Sequence, residues 1–235
     1  MGKALSKAKD IRAVIVTGAG RGCRSGIDLK AVAQDGIQLP WFREWEDTLR
    51  LFETIYDKAL ICGIHGKCIG GGLQFSLTCD MHIAADNAFF SQTAVRRSII
   101  FGLGTFRLLR TVGLGCGRMP TLAPSRIRAK RALEWGLVDQ VVKPETLNTA
   151  LASSADMFIY TARSAFRESK KLLVQRYDLP YEGFLSVYLK GQQACLASSD
   201  HNVASDAYLI KTAAISVRRK RSLPASPVLN GRGGS

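Results

Sequence analysis

Two glycine-rich stretches carry the residues of this chain that are best suited to chemistry. The first runs TGAGRG over 17–22 and continues as SGIDLK over 25–30, and the second is the glycine triplet 70–72. Glycine lets the backbone approach a ligand closely, and a helix that begins after such a turn directs its N–H dipoles at negative charge. Two converging amides of this kind form an oxyanion hole, although the same glycines would also serve ordinary tight turns.

Other glycine-dependent motifs are excluded by particular residues. A dinucleotide-binding fingerprint that starts at Gly18 needs glycine at position 23, where the chain has Cys23. A phosphate-binding P-loop fails because Lys67 precedes Cys68 rather than Ser or Thr, and because the glycine spacing is wrong. The serine nucleophile elbow G-x-S-x-G does not occur in the sequence. Stabilisation of an oxyanion by backbone amides is the chemistry that remains.

The composition is that of a globular protein with a basic surface. Of the 235 residues, 46% are hydrophobic and 22% are charged. No apolar run reaches the roughly 18 residues of a membrane span. The net charge of +14 favours an anionic partner. Since zinc-finger and aromatic RNA-binding patterns are absent, we expect no nucleic-acid partner, and a basic nucleic-acid scaffold is kept only as a third hypothesis.

The cysteines and histidines indicate neither disulfides nor a metal site. None of the cysteines forms a C-x-x-C pair, and His65, His82 and His201 lack metal-ligand spacing. The N-terminus has no apolar core of a secretory signal. The sequence therefore predicts a reducing compartment, taken to be the cytoplasm, free thiols and no metal. The cysteines are Cys23, Cys62, Cys68, Cys79, Cys116 and Cys195.

Strands in the first half and helices in the second half predict one α/β unit with a helical layer. Residues 1–142 are expected to form the β/α core, 143–212 a helical oligomerisation region, and 213–235 a disordered basic tail. Strands are predicted at 11–16, 59–64, 81–85 and 137–142. Helices are predicted from Pro40, at 103–113 with a stop at Gly113, at 127–136, and at about 145–162, 164–176 and 181–198.

Three stretches together resemble the enoyl-CoA hydratase/isomerase (crotonase) superfamily. They are VIVTGAGRGCRSGIDLK, HGKCIGGGLQFSLTCDMHIAADNAFFSQ and ALEWGLVDQVV, and the resemblance extends from about residue 11 to 212. It implies a crotonase-like spiral of β-β-α units with C-terminal helices that build trimers or hexamers. It also implies an acyl-CoA thioester as the ligand, with coenzyme A as part of the substrate and no separate cofactor.

The resemblance also assigns site residues. The oxyanion donors would be the backbone N–H groups of Ile27 and Gly71. Lys30 would contact a phosphate of coenzyme A, or would simply be a surface lysine. The residues expected to bind substrate are Ser25, Gly26, Asp28, Leu29, Lys30 and Gly70.

This sequence departs from the family where the proton carriers belong. Hydratases of the family use two glutamates, and the matching positions here are Gln74 and Ala94. The segment IIFGLGTF, where related isomerases place an acid, has no carboxylate. We therefore expect weak hydration, with an isomerase, a hydrolase, a decarboxylase or a non-catalytic acyl-CoA binder left open. If hydration were fast, Glu44 or Glu46 would have to carry the proton.

Family members usually begin with an earlier strand pair and a helix. The strand predicted at 11–16 is therefore expected to leave a sheet edge open. The stretch GCGRMPTLAPSR also departs from the family pattern.

Overall fold

In a computed structural model, which describes residues 2–24, 26–36 and 38–209, the chain winds through repeated strand–strand–helix turns. In most turns one strand enters a first sheet, the next segment joins a second sheet, and a helix follows. The elements are α1 (Gly2–Lys7), β1 (Ala13–Thr17), α2 (Leu29–Asp35), α3 (Leu39–Glu53), β2 (Ala59–Ile64), β3 (Lys67–Ile69), α4 (Gly71–Ser76), β4 (Met81–Ala85), β5 (Phe89–Ser91), a 3₁₀ turn (Ala94–Arg97), α5 (Gly104–Leu122), β6 (Arg126–Arg128), α6 (Ala129–Glu134), β7 (Gln140–Val142), a second 3₁₀ turn (Pro144–Thr146), α7 (Leu147–Ile159), α8 (Arg163–Gln175), α9 (Tyr181–Leu196) and α10 (Ser199–Leu209).

The two sheets differ in strand direction. The first has four parallel strands in the order β1-β2-β4-β7, with Ala13 opposite Ala59 and Ile61 opposite Met81. The second has the order β3-β5-β6, in which β3 and β5 are parallel and β6 is antiparallel. Within the described part of the chain, β1 forms one edge of the first sheet. The predicted α/β fold with a helical C-terminal region is confirmed.

Strand β2 lies at the centre of the packing because all six of its residues are apolar or glycine and all are buried. Leu60 packs against α3, whereas Ile61 faces Leu151 of α7 on the other side of the sheet. Gly63 leaves room for α7, because a Cβ at that position would stand 2.5 Å from Cδ1 of Leu151. A parallel strand covered on both faces requires such a continuous apolar run.

Helix α3 brings an aromatic and acidic face beside the second glycine turn and the segment before α5. Pro40 lies in its first turn, where the missing N–H costs little, as the sequence predicted. Leu49 and Phe52 are buried against the core, and this fixes which side of the helix Trp45 and Glu46 occupy. The preceding helix α2 starts where Asp28 accepts hydrogen bonds from the N–H groups of Lys30 and Ala31.

Several predicted element boundaries were wrong. The segment predicted as a helix at 127–136 contains strand β6 before α6. The predicted stop at Gly113 is confirmed, because the backbone leaves helical geometry there, with φ 74° and ψ 163°. A second helical segment of α5, which was not predicted, then continues to Leu122. Helix α2 and the short strands β3 and β5 were not predicted, because three-residue strands carry too little periodicity to be read.

The C-terminal helices agree with those predicted at about 145–162, 164–176 and 181–198. Phe158 and Phe166 meet edge to face at 5.8 Å and join α7 to α8. The division at residue 142 stays a prediction. The whole predicted tail, 213–235, lies outside the described residues, which end at 209. None of the described helices combines the length and the apolar character needed to cross a membrane.

Candidate functional site

Backbone pairing between the segment 22–24 and strand β3 brings the two glycine turns together. The N–H of Cys23 donates to the carbonyl of His65 over 2.8 Å, and that of Arg24 donates to the carbonyl of Lys67 over 3.0 Å. The N–H of Ile69 returns a bond to the carbonyl of Arg24 over 2.9 Å. The chain on either side of Ser25 is therefore held against the end of β3, just before α4 begins.

Gly26 lies directly against the start of α4. Its φ of +97° belongs to the region that glycine tolerates, and a Cβ there would stand 3.1 Å from the carbonyl oxygen of Ile69 and 3.4 Å from the backbone nitrogen of Gly71. The next residue, Ile27, and Gly71 thus belong to touching turns. Within the described residues, neither the N–H of Ile27 nor that of Gly71 donates to a protein acceptor.

The remaining residues predicted to bind substrate have varied surroundings. Gly70 has a φ of +55° and donates its N–H to the carbonyl of Ser91 over 3.0 Å. Asp28 caps α2 and Lys30 is exposed. Leu29 begins α2, but its side chain, like the whole of Ser25, lies outside the described residues.

Gln74 is buried, and its amide is bonded at both ends. Its Oε1 accepts from Nε1 of Trp45 over 2.7 Å, and its Nε2 donates to the carbonyl of Phe101 over 2.5 Å. An amide oxygen and an amide NH₂ each retain one further bonding position. Gln74 therefore links α3, α4 and the segment before α5, and it has no group that accepts a proton from water at neutral pH.

Trp45 forms a wall beside the second turn. Its Cζ2 would lie 3.4 Å from a Cβ at Gly71, and its ring stacks on that of Trp41 with centroids 6.0 Å apart. The guanidinium of Arg24 lies 5.8 Å from the Trp45 ring centroid and 5.7 Å from that of Phe75. A ligand group held at the N–H of Gly71 would therefore have an indole ring close by, with a cation beyond it.

Ala94 begins the first 3₁₀ turn and contributes only a methyl group. Its N–H donates to Oε1 of Gln92 over 2.5 Å. Gln92 is fully buried, and in the described part of the chain its Nε2 has no hydrogen-bond partner. Ala94 thus supplies no proton carrier.

The carboxylate of Glu46 reaches this region from α3. From the sequence, Glu46 was only an alternative proton carrier. Oε1 of Glu46 accepts from the N–H of Leu103 over 3.0 Å, and its Oε2 accepts from Nη1 of Arg107 over 2.7 Å. Arg107 also donates through Nε to Glu53 over 2.5 Å. The segment expected to lack an acid therefore has one beside it, delivered by a helix distant in sequence. The spacing of Trp45, Leu49 and Phe52 was the signal for this helix face.

Two of the histidines have local structural partners. Nε2 of His65 lies 3.1 Å from the carbonyl oxygen of Gly20, and that of His82 lies 2.6 Å from the carbonyl oxygen of Ser76. Burial acts to lower the pKa of His82, but the Asp139 carboxylate, Cys79 and the Ser76 carbonyl outweigh it, so the pKa is raised. In the described chain no three potential ligands are placed to hold a metal ion.

All six cysteines are free. Four of them lie together in or beside the core under the glycine turns, namely Cys23, Cys62, Cys68 and Cys79. Hydrogen bonds with Cys62 and Cys68 lower the pKa of Cys23 far below that of an ordinary thiol. The same contacts raise the pKa values of Cys62 and Cys68, which are buried. Of these three thiols, Cys23 is therefore the most acidic.

Two cavities lie at a distance in sequence from the glycine turns. One, of about 440 Å³, is lined mainly by apolar residues between the first 3₁₀ turn and the ends of α5, among them Val95, Ile99, Phe101 and Leu122. Because Phe101 also accepts the bond from Gln74, this cavity adjoins the site. The other, of about 300 Å³, lies among α8, α9 and α10.

Comparison with known proteins gives a consistent result. The family model described as enoyl-CoA hydratase/isomerase matches residues 1–213. The chain is 28% identical over 205 residues to the short-chain-enoyl-CoA hydratase of Clostridium acetobutylicum, covering 86% of this chain and 78% of that protein. It is 32% identical over 177 residues to the (E)-benzylidenesuccinyl-CoA hydratase of Thauera aromatica, with 74% and 68% covered. It is 34% identical to the mitochondrial Delta(3,5)-Delta(2,4)-dienoyl-CoA isomerase of Rattus norvegicus, with 65% and 52% covered.

Solved structures agree with these sequence matches. The enoyl-CoA hydratase from Bacillus anthracis superimposes with a TM-score of 0.78 at 27% identity, covering 90% of this chain and 83% of that one. The enoyl-CoA hydratase subunit I from Geobacillus kaustophilus gives a TM-score of 0.83 at 26% identity, covering 90% and 82%. The predicted crotonase-like fold is confirmed.

Proposed function

The chain belongs to the enoyl-CoA hydratase/isomerase family, and on this premise we propose that it binds an acyl-CoA thioester and stabilises the thioester enolate with the N–H groups of Ile27 and Gly71. The observation that carries the proposal is the contact between the turns that contain these residues, where a Cβ on Gly26 would stand 3.4 Å from the nitrogen of Gly71. Two amides without protein acceptors in touching turns supply the donors that an oxyanion requires.

The charge around the first turn supports coenzyme A as the carrier of the acyl group. Arg24 and Lys67 lie on paired segments and are exposed, and Lys30 is exposed at the start of α2. Cations at these positions attract the phosphates of coenzyme A, and the attraction weakens as salt screens it. No separate cofactor is required, because an enolate needs only a proton carrier and a stabilised oxygen.

Gln74 and Ala94 limit the reactions that the chain can catalyse. Hydration needs a base for water and an acid for the α-carbon, and neither position supplies one. We propose a reaction that passes through the enolate without activating water by this pair, with shift of a double bond as the leading case. The side chain of Gln74 is held in place by hydrogen bonds to Trp45 and Phe101. This structural role favours a second candidate function, in which the chain binds acyl-CoA without turning it over.

The test of binding is a thermal-shift series with crotonyl-CoA, butyryl-CoA, free coenzyme A and butyrate at 50 and 500 mM salt. A ligand that binds only the native state raises the unfolding temperature. We expect a shift with the thioesters that shrinks at high salt, and none with butyrate. Absence of a shift with either thioester at millimolar concentration would contradict the proposal.

We also propose that the chain assembles as a homotrimer or as a dimer of trimers. Leu173, Tyr188, Leu189 and Leu196 are exposed along α8 and α9, and a second subunit would cover such residues. Phe158 and Phe166, by contrast, pack on each other within the chain. Light scattering at micromolar concentration should give three or six times the chain mass, and a monomer would contradict this proposal.

A further inference from the structure

We propose that Glu46 is the proton carrier of this site, in place of the two glutamates that the chain lacks. The inference rests on the proposed function, because it needs an acyl thioester held at the glycine turns. It assigns to a side chain of α3 a role that the positions of Gln74 and Ala94 cannot fill.

The first argument is position. Gly102 has a φ of +60°, and a Cβ there would stand 2.8 Å from Oε1 of Glu46 and 3.4 Å from Nε2 of Gln74. The two side chains therefore border the same space, which Gly102 leaves open. Gln74 is in turn bonded to Trp45, whose ring packs beside Gly71. A continuous set of contacts leads from the proposed oxyanion donor to the carboxylate.

The second argument is charge. Glu46 and Glu53 share the guanidinium of Arg107, and Glu53 also pairs with Arg50, so the four side chains are together neutral. The side chains of the two glutamates are only 15% and 17% exposed, so a further negative charge beside them is costly. A proton that moves from the substrate carbon to Glu46 neutralises this carboxylate as the enolate becomes charged, so the site gains no net charge.

The third argument is that the two carboxylates are not equivalent. Oε1 and Oε2 of Glu53 each face an arginine, Arg107 at 2.5 Å and Arg50 at 3.3 Å. Among the described residues, Glu46 faces an arginine through Oε2 alone, and its Oε1 accepts only the N–H of Leu103. An oxygen that no cation binds remains available to contact a substrate carbon. Glu44, on the opposite face of α3, is exposed.

The step balances without a further reactant. The Glu46 carboxylate takes a proton from the carbon next to the thioester, the C–H electron pair forms the C=C bond of the enolate, and the thioester oxygen receives the negative charge at Ile27 and Gly71. The protonated Glu46 then returns the proton to the same carbon, or to a more distant carbon of a conjugated chain. In deuterated water the carbon next to the thioester gains deuterium.

The experiment measures that deuterium uptake with butyryl-CoA in D₂O, by NMR, for the wild-type chain, E46Q and E53Q. Gln cannot carry the proton, so we expect E46Q to lose about 10²–10⁴-fold in exchange rate while still binding butyryl-CoA in the thermal-shift assay. E53Q is the matched control, because it removes the other carboxylate from Arg107. We expect it to retain the exchange rate within a few-fold.

A measurement on the unmodified chain guards against a folding defect in E46Q. If one carboxylate is the base, the exchange rate of the wild type falls tenfold for each pH unit below the pKa of that group. The inference is overturned if exchange is absent although butyryl-CoA binds, if E46Q exchanges like the wild type, or if E53Q loses as much as E46Q. Failure of butyryl-CoA to bind at all would instead remove the proposed function.

Discussion

The indole Nε1 of Trp45 donates to Oε1 of Gln74 over 2.7 Å, and this bond ties helix α3 to the start of α4. Because Gln74 is buried and its Nε2 is bonded to Phe101, the amide is locked in one orientation. Gln74 is thus a side chain that joins three segments of the fold.

Trp45→Phe should destabilise the protein, because it leaves the buried Oε1 of Gln74 without its donor. An unsatisfied buried acceptor costs about 1–3 kcal/mol in the free energy of unfolding. Denaturant unfolding of the variant and the wild type measures this directly. The matched control is Trp41→Phe: the Trp41 ring stacks on Trp45 but is 41% exposed. A loss of equal size in both variants would show that ring packing, not the hydrogen bond, matters.

The sequence predicted the location of the turns but not the side chains that meet them. Turns at Gly26 and Gly70 could be predicted because their φ values, +97° and +55°, exclude most other residues. The strands at 59–64 and 81–85 could be predicted because each has a strongly apolar composition. The proximity of Glu46 to Gly102 could not be predicted, because it depends on the angle at which α3 crosses the sheet. No local sequence pattern records that angle.

Short elements account for most of the other differences. Strands β3 and β5 have three residues each and are stabilised by partners far along the chain, so their own sequences say little. Asp28 was expected to contact the ligand, and in the structure it caps α2. Aspartate is a preferred N-cap residue, but this role could not be predicted because no helix was predicted from Leu29. Packing between distant segments, not propensity, decides these cases.

Gly71→Pro should abolish acyl-thioester chemistry while leaving the fold intact. Gly71 is the first residue of α4, where proline is well tolerated, but the change deletes the N–H proposed for the enolate. Loss of one such donor typically lowers the rate about 10²–10³-fold. The α-proton exchange of butyryl-CoA measures it. Gly71→Ala is the control, because it keeps the N–H and its Cβ would lie 3.4 Å from Trp45. Equal rates in the two variants would contradict the role of this N–H.

Hydration of crotonyl-CoA by the unmodified chain should be slow. Loss of a general acid or base costs about 10²–10⁴ in rate, and the losses at Gln74 and Ala94 act within one unit, so the combined deficit can resemble a single one. Gln74→Glu with Ala94→Glu should restore part of the activity, measured by loss of the enoyl absorbance. The single change Ala94→Glu is the control. Hydration by the wild type at an ordinary enzymatic rate would contradict the prediction.

Gln74→Glu alone should make stability depend on pH. One oxygen of the new carboxyl would face the carbonyl of Phe101, which accepts and cannot donate, so the protonated form is favoured and the pKa is raised in the fold. A raised carboxyl pKa contributes stability below the ordinary value of about 4.3 and loses it as the pH rises through the folded value. Urea unfolding at pH 4.5 and pH 8 should show a larger deficit at pH 8. An equal deficit at both would refute this assignment.

The pair of His82 and Asp139 should give the wild type a second, separate pH dependence. Burial opposes both charges, but their contact raises the pKa of His82 and lowers that of Asp139. A raised histidine pKa contributes stability below its ordinary value of about 6.5 and loses it as the pH rises through the folded value, whereas a lowered aspartate pKa contributes above about 3.9.

Asp139→Asn should therefore cost most between about pH 4 and 6.5 and less above the folded pKa of His82. A residual cost remains there, because the carboxylate of Asp139 accepts the backbone N–H of His82 over 2.7 Å, and a neutral amide oxygen accepts it less strongly. The control is Asp86→Asn, which breaks an exposed pair with Lys143 at 3.4 Å and involves no histidine. Urea unfolding of both variants from pH 4 to 9 separates the two cases, and a cost for Asp139→Asn that does not change over this range would show that the imidazole charge contributes nothing.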